Sequence, residues 1–60
     1  MDRLLLTIEE AAHALHLGRS KTYELIQQGQ LVTVRIGRAV RIPAESVRDL
    51  IERLASEQNG

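Results

Sequence analysis

The chain has 60 residues, which permits one domain with a single hydrophobic core. It contains no cysteine and only two histidines, so we expect neither disulfides nor a structural zinc site to stabilise it. The apolar run near the N-terminus is too short for a signal peptide, and no segment is long enough to cross a membrane, so a cytoplasmic protein is expected.

The formal net charge is zero, but the charges are unevenly distributed along the chain. Residues 19–41 hold five cations and one carboxylate, a local charge of +4, whereas residues 1–18 and 42–60 each carry −2. A basic centre of this kind favours an anionic partner such as the phosphates of a nucleic acid.

Two short helices are predicted in the first half of the chain. Thr7 is followed three residues later by Glu10, a capping box that predicts a first helix ending at about Leu15. A tight turn follows at residues 16–18, with Leu17 filling the crossing of the two helices. The second helix is expected over residues 19–28, and Gly29 supplies its left-handed stop.

The second helix has a face with almost no apolar side chain. Its members carry hydrogen-bonding or charged groups, and they are Arg19, Ser20, Lys21, Tyr23, Glu24 and Gln27. A polar helical face held at an angle by a preceding helix is typical of side chains that enter the DNA major groove. The alternative is an ordinary pair of packed helices with one solvated face.

After Gly29 the pattern changes to an alternation typical of a β-hairpin. The apolar residues share one face only if the loop has three residues, at 37–39, and we therefore predict that register. The pairs expected are Val34 with Ile42, Arg35 with Arg41 and Ile36 with Val40. This register places two arginines side by side with Arg38 at the tip of the hairpin. The arrangement indicates a wing that binds DNA. The alternative is a solvated sheet edge whose charges prevent aggregation.

Pro43 precedes a third helix, predicted from Ala44 to about Ala55. Its apolar stripe consists of Val47, Leu50, Ile51 and Leu54. We expect the residues from Ser56 onward to be loose. The fold predicted is mostly α with a small β-hairpin, a winged helix-turn-helix forming one domain over residues 1–60 with an ordered core at about 4–55.

Other kinds of site are not indicated by the residues. His13 and His16 lie three apart, with no third metal ligand evident nearby. No catalytic set or glycine-rich phosphate loop is present, so we expect neither an enzyme nor a cofactor.

The sequence resembles the excisionase-type DNA-binding domain of the MerR-like winged helix-turn-helix group over about residues 4–54. The resemblance lies in Leu-Leu-Thr-Ile-Glu-Glu-Ala-Ala near the N-terminus and in Val-Arg-Ile-Gly-Arg-Ala-Val-Arg-Ile-Pro, which ends at Pro43. Two positions depart from the family pattern, because His16 replaces a common turn glycine and Gly18 replaces the usual Ser or Thr cap.

The resemblance implies a recognition helix that uses the six polar residues of the second helix in the major groove. It also implies a wing that contacts DNA through Arg35, Arg38 and Arg41. The function implied is a recombination accessory factor (an excisionase) that binds repeated sites cooperatively, bends DNA, and acts beside neighbouring copies of itself and an element-encoded integrase. A small MerR-like transcriptional regulator and a protein-interaction module without DNA binding are the alternatives.

Overall fold

The computed structural model describes residues 4–59, which form three helices and a three-stranded antiparallel sheet. In chain order the elements are β1 (Leu5–Leu6), α1 (Ile8–Leu15), α2 (Arg19–Gln27), β2 (Val34–Ile36), β3 (Ala39–Pro43) and α3 (Ala44–Asn59). The strand order in the sheet is β1-β3-β2, so β3 is the central strand and β2 is an edge. The predicted fold class, a winged helix-turn-helix, is confirmed.

Local signals in the sequence place the ends of the first two helices. The Thr7 hydroxyl accepts a hydrogen bond from the Glu10 backbone N–H at 3.0 Å, and the Glu10 carboxylate accepts one from the Thr7 N–H at 2.9 Å. This is the predicted capping box. After α2, Gly29 adopts a φ of +77°, the left-handed conformation that ends a helix and that glycine adopts most readily.

The hydrophobic core is built from all three helices, the central strand and one residue of the loop after α2. Its fully or nearly fully buried members are Ala11, Leu25, Leu31, Ile42, Val47 and Leu50. Leu6, Ile8, Leu15 and Ile26 pack against this cluster from its margin. The small side chains of Ala11 and Ala12, both buried, allow α1 to lie close to its neighbours, and this packing fixes the position of α2.

The predicted hairpin register is wrong by one residue. The pairs observed are Val34 with Arg41, Arg35 with Val40 and Ile36 with Ala39. The loop therefore has two residues, Gly37 and Arg38, and Gly37 adopts a φ of +61°. A two-residue turn with a positive φ at its first position matches the right-handed twist of the adjoining strands.

The prediction failed because it assumed that every apolar residue of the hairpin faces the core. Only β3 reaches the core, where Ile42 is fully buried and lies opposite Leu6 of β1. Strand β2 lies outside the core, so the side chains of Val34 and Ile36 are exposed. Burial therefore places no constraint on the register of β2, and the turn decides it.

Two further expectations about packing are corrected. Leu17 is 37% exposed and does not fill the crossing of α1 and α2. Helix α3 continues to Asn59 instead of ending near Ala55, and the later part of its stripe, Ile51 and Leu54, is exposed. Only the first two turns of α3 contribute side chains to the core, and the rest of the helix extends beyond it.

Candidate nucleic-acid interface

Helix α2 is anchored to the protein through one side. Thr22 is fully buried, and its hydroxyl donates a hydrogen bond to the Gly18 carbonyl at 3.0 Å. Leu25 belongs to the core cluster. Gly18 adopts the extended backbone of an N-cap without supplying a side-chain cap, as its lack of a hydroxyl requires.

All six polar residues predicted for the recognition helix are exposed on the remaining surface of α2. We refer to this set as the recognition face: Arg19, Ser20, Lys21, Tyr23, Glu24 and Gln27. Tyr23 is 46% exposed, so its ring is partly covered while the residue remains accessible to a ligand. The structure thus brings the predicted helix residues together on one accessible surface.

The first departure from the family pattern, His16, lies in the turn between α1 and α2. His16 has a φ of +57°, and it is the only non-glycine residue with a positive φ within residues 4–59. Glycine adopts this conformation without the steric cost that a Cβ adds, which is the physical reason for a turn glycine at this position. His16 adopts the same left-handed backbone conformation that glycine would, and its Cβ makes that conformation strained.

The loop after α2 is tied to α3 by two hydrogen bonds. The Val32 backbone N–H donates to the Ser46 hydroxyl at 2.9 Å, and Arg53 Nη2 donates to the Gln30 carbonyl at 2.9 Å. These contacts fix the C-terminal end of α2 relative to the body of the protein. Sequence reasoning missed both contacts, because contacts across 14 and 23 residues leave no periodic signal.

The wing, residues 34–43, carries its three arginines differently from the prediction. Arg35 lies opposite Val40, whereas Arg41 lies opposite Val34, so Arg35 and Arg41 belong to opposite faces of the hairpin. The expected side-by-side pair of arginines is therefore wrong. Arg38 lies in the two-residue turn at the tip and is exposed, as predicted.

Arg41 is also more restrained than the other two wing arginines. Its side chain is half-buried, and Nη1 donates to the Val40 carbonyl at 2.9 Å. Arg35 and Arg38 are exposed. The two exposed cations of the wing thus lie nearer the two-residue turn than Arg41 does.

Both cations of the recognition face form ion pairs with carboxylates, one outside the face and one within it. Arg19 Nη2 lies 3.4 Å from Glu9 Oε2, which links the start of α2 to the first turn of α1. Lys21 Nζ lies 3.5 Å from Glu24 Oε1 within α2. The three-residue spacing of Lys21 and Glu24 within α2 indicates their pair from the sequence. The pair of Glu9 with Arg19 was missed, because it joins two helices across the turn.

Neither a metal cluster nor a membrane helix is found in the part of the chain that the structure describes. No three His, Cys, Asp or Glu side chains within it are grouped as metal ligands. His13 and His16 lie with their ring centroids 6.2 Å apart in an edge-to-face arrangement. Across residues 4–59, no helix combines the length and apolar character that crossing a membrane requires.

The fold and the exposed polar helix define a winged helix-turn-helix protein. Comparison with family models matches residues 5–55 to the helix-turn-helix domain. The chain belongs to this family, and its named relatives place it among the excisionase-type members.

Three relatives illustrate this similarity. A Saccharopolyspora erythraea protein named "Probable excisionase" is 50% identical over 97% of the chain, and a Streptomyces ambofaciens protein named "Excisionase" is 44% identical over 80%. A Mycobacterium tuberculosis protein whose name claims only DNA binding is 38% identical over 80% of the chain. The chain spans 59%, 77% and 62% of the lengths of these relatives, respectively. No solved structure matches the chain.

Proposed function

We propose that the chain binds double-stranded DNA in a sequence-specific manner as an accessory factor of site-specific recombination. The observation that carries this proposal is the polar recognition face of α2, which the core anchors in a protein that also carries a basic wing. The names of the two excisionase relatives support the recombination role. With DNA as its partner, the chain would act in the cytoplasm, associated with the nucleoid when bound, and the integrase would carry out excision.

The two parts of the interface have different roles in this proposal. Lys21, Glu24 and Gln27 contact base edges in the major groove, where Lys suits guanine, Gln suits adenine and Glu suits the amino group of cytosine. Arg19, Ser20 and Tyr23 contact phosphates or bases at the margin of the groove. Arg35, Arg38 and Arg41 contact the backbone or the neighbouring groove and contribute affinity without reading sequence.

Several copies act together in this proposal. One module of this kind covers only about 600–1,000 Å² of interface, which gives little specificity alone. Neighbouring copies on repeated sites raise the specificity through cooperative contacts and bend the DNA, which favours excision by an integrase. A small transcriptional regulator using the same contacts is the second candidate, because the name of the M. tuberculosis relatives specifies DNA binding and no recombination.

A selection of bound sequences from a random DNA pool tests the proposal. Clustered repeats that map beside an attachment site, together with stimulation of excision when the element's integrase is added, would support the accessory-factor role. Isolated sites at promoters and no effect on excision would favour the regulator.

Salt dependence separates both of these functions from a protein-interaction module. Contacts to three phosphates would give a slope of log affinity against log salt of about −2.7. Failure to bind any duplex at low salt would contradict DNA binding.

A further inference from the structure

Both cations of the recognition face are held by carboxylates in the free protein. Arg19 contacts Glu9 of α1 at 3.4 Å, and Lys21 contacts Glu24 of α2 at 3.5 Å. The net charge of these four side chains is zero. The helix that is expected to enter the groove therefore offers DNA no excess positive charge from these groups.

The arginines of the wing, in contrast, are not paired with carboxylates of the described residues. Within residues 4–59, no ion pair joins Arg35, Arg38 or Arg41 to a carboxylate. The uncompensated positive charge of the interface is thus concentrated on the hairpin. Because binding to random DNA depends mainly on uncompensated cations, the wing contributes to that binding and the helix contributes little.

The two ion pairs are exposed and can exchange partners. The side chains of Arg19 and Glu9 are 66% and 73% exposed, and those of Lys21 and Glu24 are 56% and 53% exposed. Exposed pairs contribute only about 0–1 kcal/mol to stability, so a phosphate or a base can replace the carboxylate. A carboxylate that loses its cation to DNA remains close to the phosphates, where its charge opposes binding unless a donor compensates it.

We infer that Glu9 and Glu24 determine selectivity by weakening binding to DNA that does not match the target. The inference rests on the proposed DNA binding and adds a role for two acidic residues. Glu9 restrains Arg19 from outside the recognition helix. Glu24 occupies Lys21 until a base amino group in the matching sequence donates a hydrogen bond to the Glu24 carboxylate, which releases Lys21 for a phosphate or a guanine.

The two carboxylates therefore affect matched and unmatched DNA differently. On unmatched DNA, both carboxylates remain uncompensated near phosphates and reduce affinity. On matched DNA, Glu24 gains a donor and the penalty is partly removed. Specificity then comes from a repulsive element as well as from attractive contacts.

The test compares Glu9→Gln and Glu24→Gln with Glu57→Gln in the full chain. Glu57 lies on the far part of α3 and is exposed, with no described ion pair, so its substitution makes the same change in net charge away from the recognition face. Circular dichroism and thermal unfolding verify that each variant folds. Dissociation constants are measured by fluorescence anisotropy on a random-sequence duplex and on a duplex from the pool selection, at about 50 and 200 mM salt.

We expect Glu9→Gln and Glu24→Gln each to bind the random duplex about three- to tenfold more tightly at the lower salt, with a smaller change at the higher salt. Glu57→Gln should change that constant less than about twofold, because its charge is distant and screened. Glu24→Gln should also reduce the ratio of specific to random affinity. Glu9→Asp keeps the charge but is too short for the pair with Arg19, and it should give part of the Glu9→Gln effect.

Three outcomes overturn the inference, and they differ in what they mean for the proposed function. If the unaltered chain binds DNA but the three Gln variants change random-duplex affinity equally, only net charge matters and the inference fails while the proposed function stands. The inference also fails, and the proposed function again stands, if none of the three variants changes affinity. If neither the unaltered chain nor any variant binds DNA, the proposed function fails and the inference fails with it.

Discussion

The recognition helix and the wing differ both in how they are anchored and in how their charges are compensated. Helix α2 is attached through buried Thr22 and Leu25, and its two cations are paired with carboxylates. Strand β2 of the wing is exposed along its whole length. Rigid anchoring suits the part that reads bases, because base readout depends on exact positions, whereas attraction to phosphates tolerates a less constrained element.

The largest expected effect tests the difference in anchoring. Leu25→Ala removes a core side chain that is 6% exposed, and we expect a loss of about 2–5 kcal/mol in the free energy of unfolding. Ile36→Ala on the wing removes a side chain that is 56% exposed and should change stability by less than about 0.5 kcal/mol. Urea unfolding followed by circular dichroism measures both free energies, and equal losses would show that strand β2 is part of the core.

The next effect concerns the charge of the wing. Replacing Arg35 and Arg38 together by Ala should weaken binding to specific and random duplexes by similar factors, about 10- to 100-fold, because phosphate contacts carry no sequence information. The matched control replaces the same residues by Lys, which keeps the charge and should retain most of the affinity. Anisotropy titrations at fixed salt measure these constants, and an unchanged affinity in the Ala variant would remove the wing from the interface.

A smaller effect is expected on the recognition face. Gln27→Ala should weaken binding to the selected duplex by about 5- to 20-fold and binding to random duplex by less than about twofold, since a base contact contributes discrimination. The comparison of the two duplexes is its own control. Equal losses on both would mean that Gln27 contacts the backbone or only stabilises the helix.

The smallest effect concerns the turn that sets the angle of α2. His16→Gly relieves the strain of a positive φ but makes the unfolded chain more flexible, so we expect a net gain of about 0.5–1 kcal/mol. The same substitution at His13, inside α1, should cost about 0.3–0.5 kcal/mol, the difference between the helix propensities of glycine and histidine. Thermal unfolding of both variants measures these changes in stability. Destabilisation by His16→Gly would contradict the claim that the backbone of His16 is strained.

The helices were predictable from the sequence because their signals are local. The Thr7–Glu10 capping box and Gly29 lie within a few residues of the boundaries they mark, and the polar face of α2 is visible from its spacing. Helix α3 was predicted too short, since nothing local shows where a helix leaves the core. The residues predicted for the recognition face share one exposed surface, and their individual contacts with DNA stay predictions.

The hairpin was less predictable because its register depends on a contact distant in sequence. Two-residue strand β1 pairs with β3 and makes it the central strand, but two leucines in succession have no strand periodicity. Because β1 was not predicted, both strands of the hairpin were expected to bury one face against the core. The pair between Glu9 and Arg19 was missed for a similar reason, since it crosses a turn whose angle the sequence does not specify.

The central claim is that the wing supplies affinity that is independent of sequence and the recognition helix supplies sequence preference. The most direct test is the salt dependence of binding to selected and random duplexes for three proteins: the unaltered chain, the Arg35/Arg38 double Ala variant, and Gln27→Ala. We predict that the wing variant loses about two units of the log–log salt slope while its specificity ratio is unchanged, and that Gln27→Ala keeps the slope and loses the ratio. A wing variant that keeps the slope but loses the ratio would contradict the account.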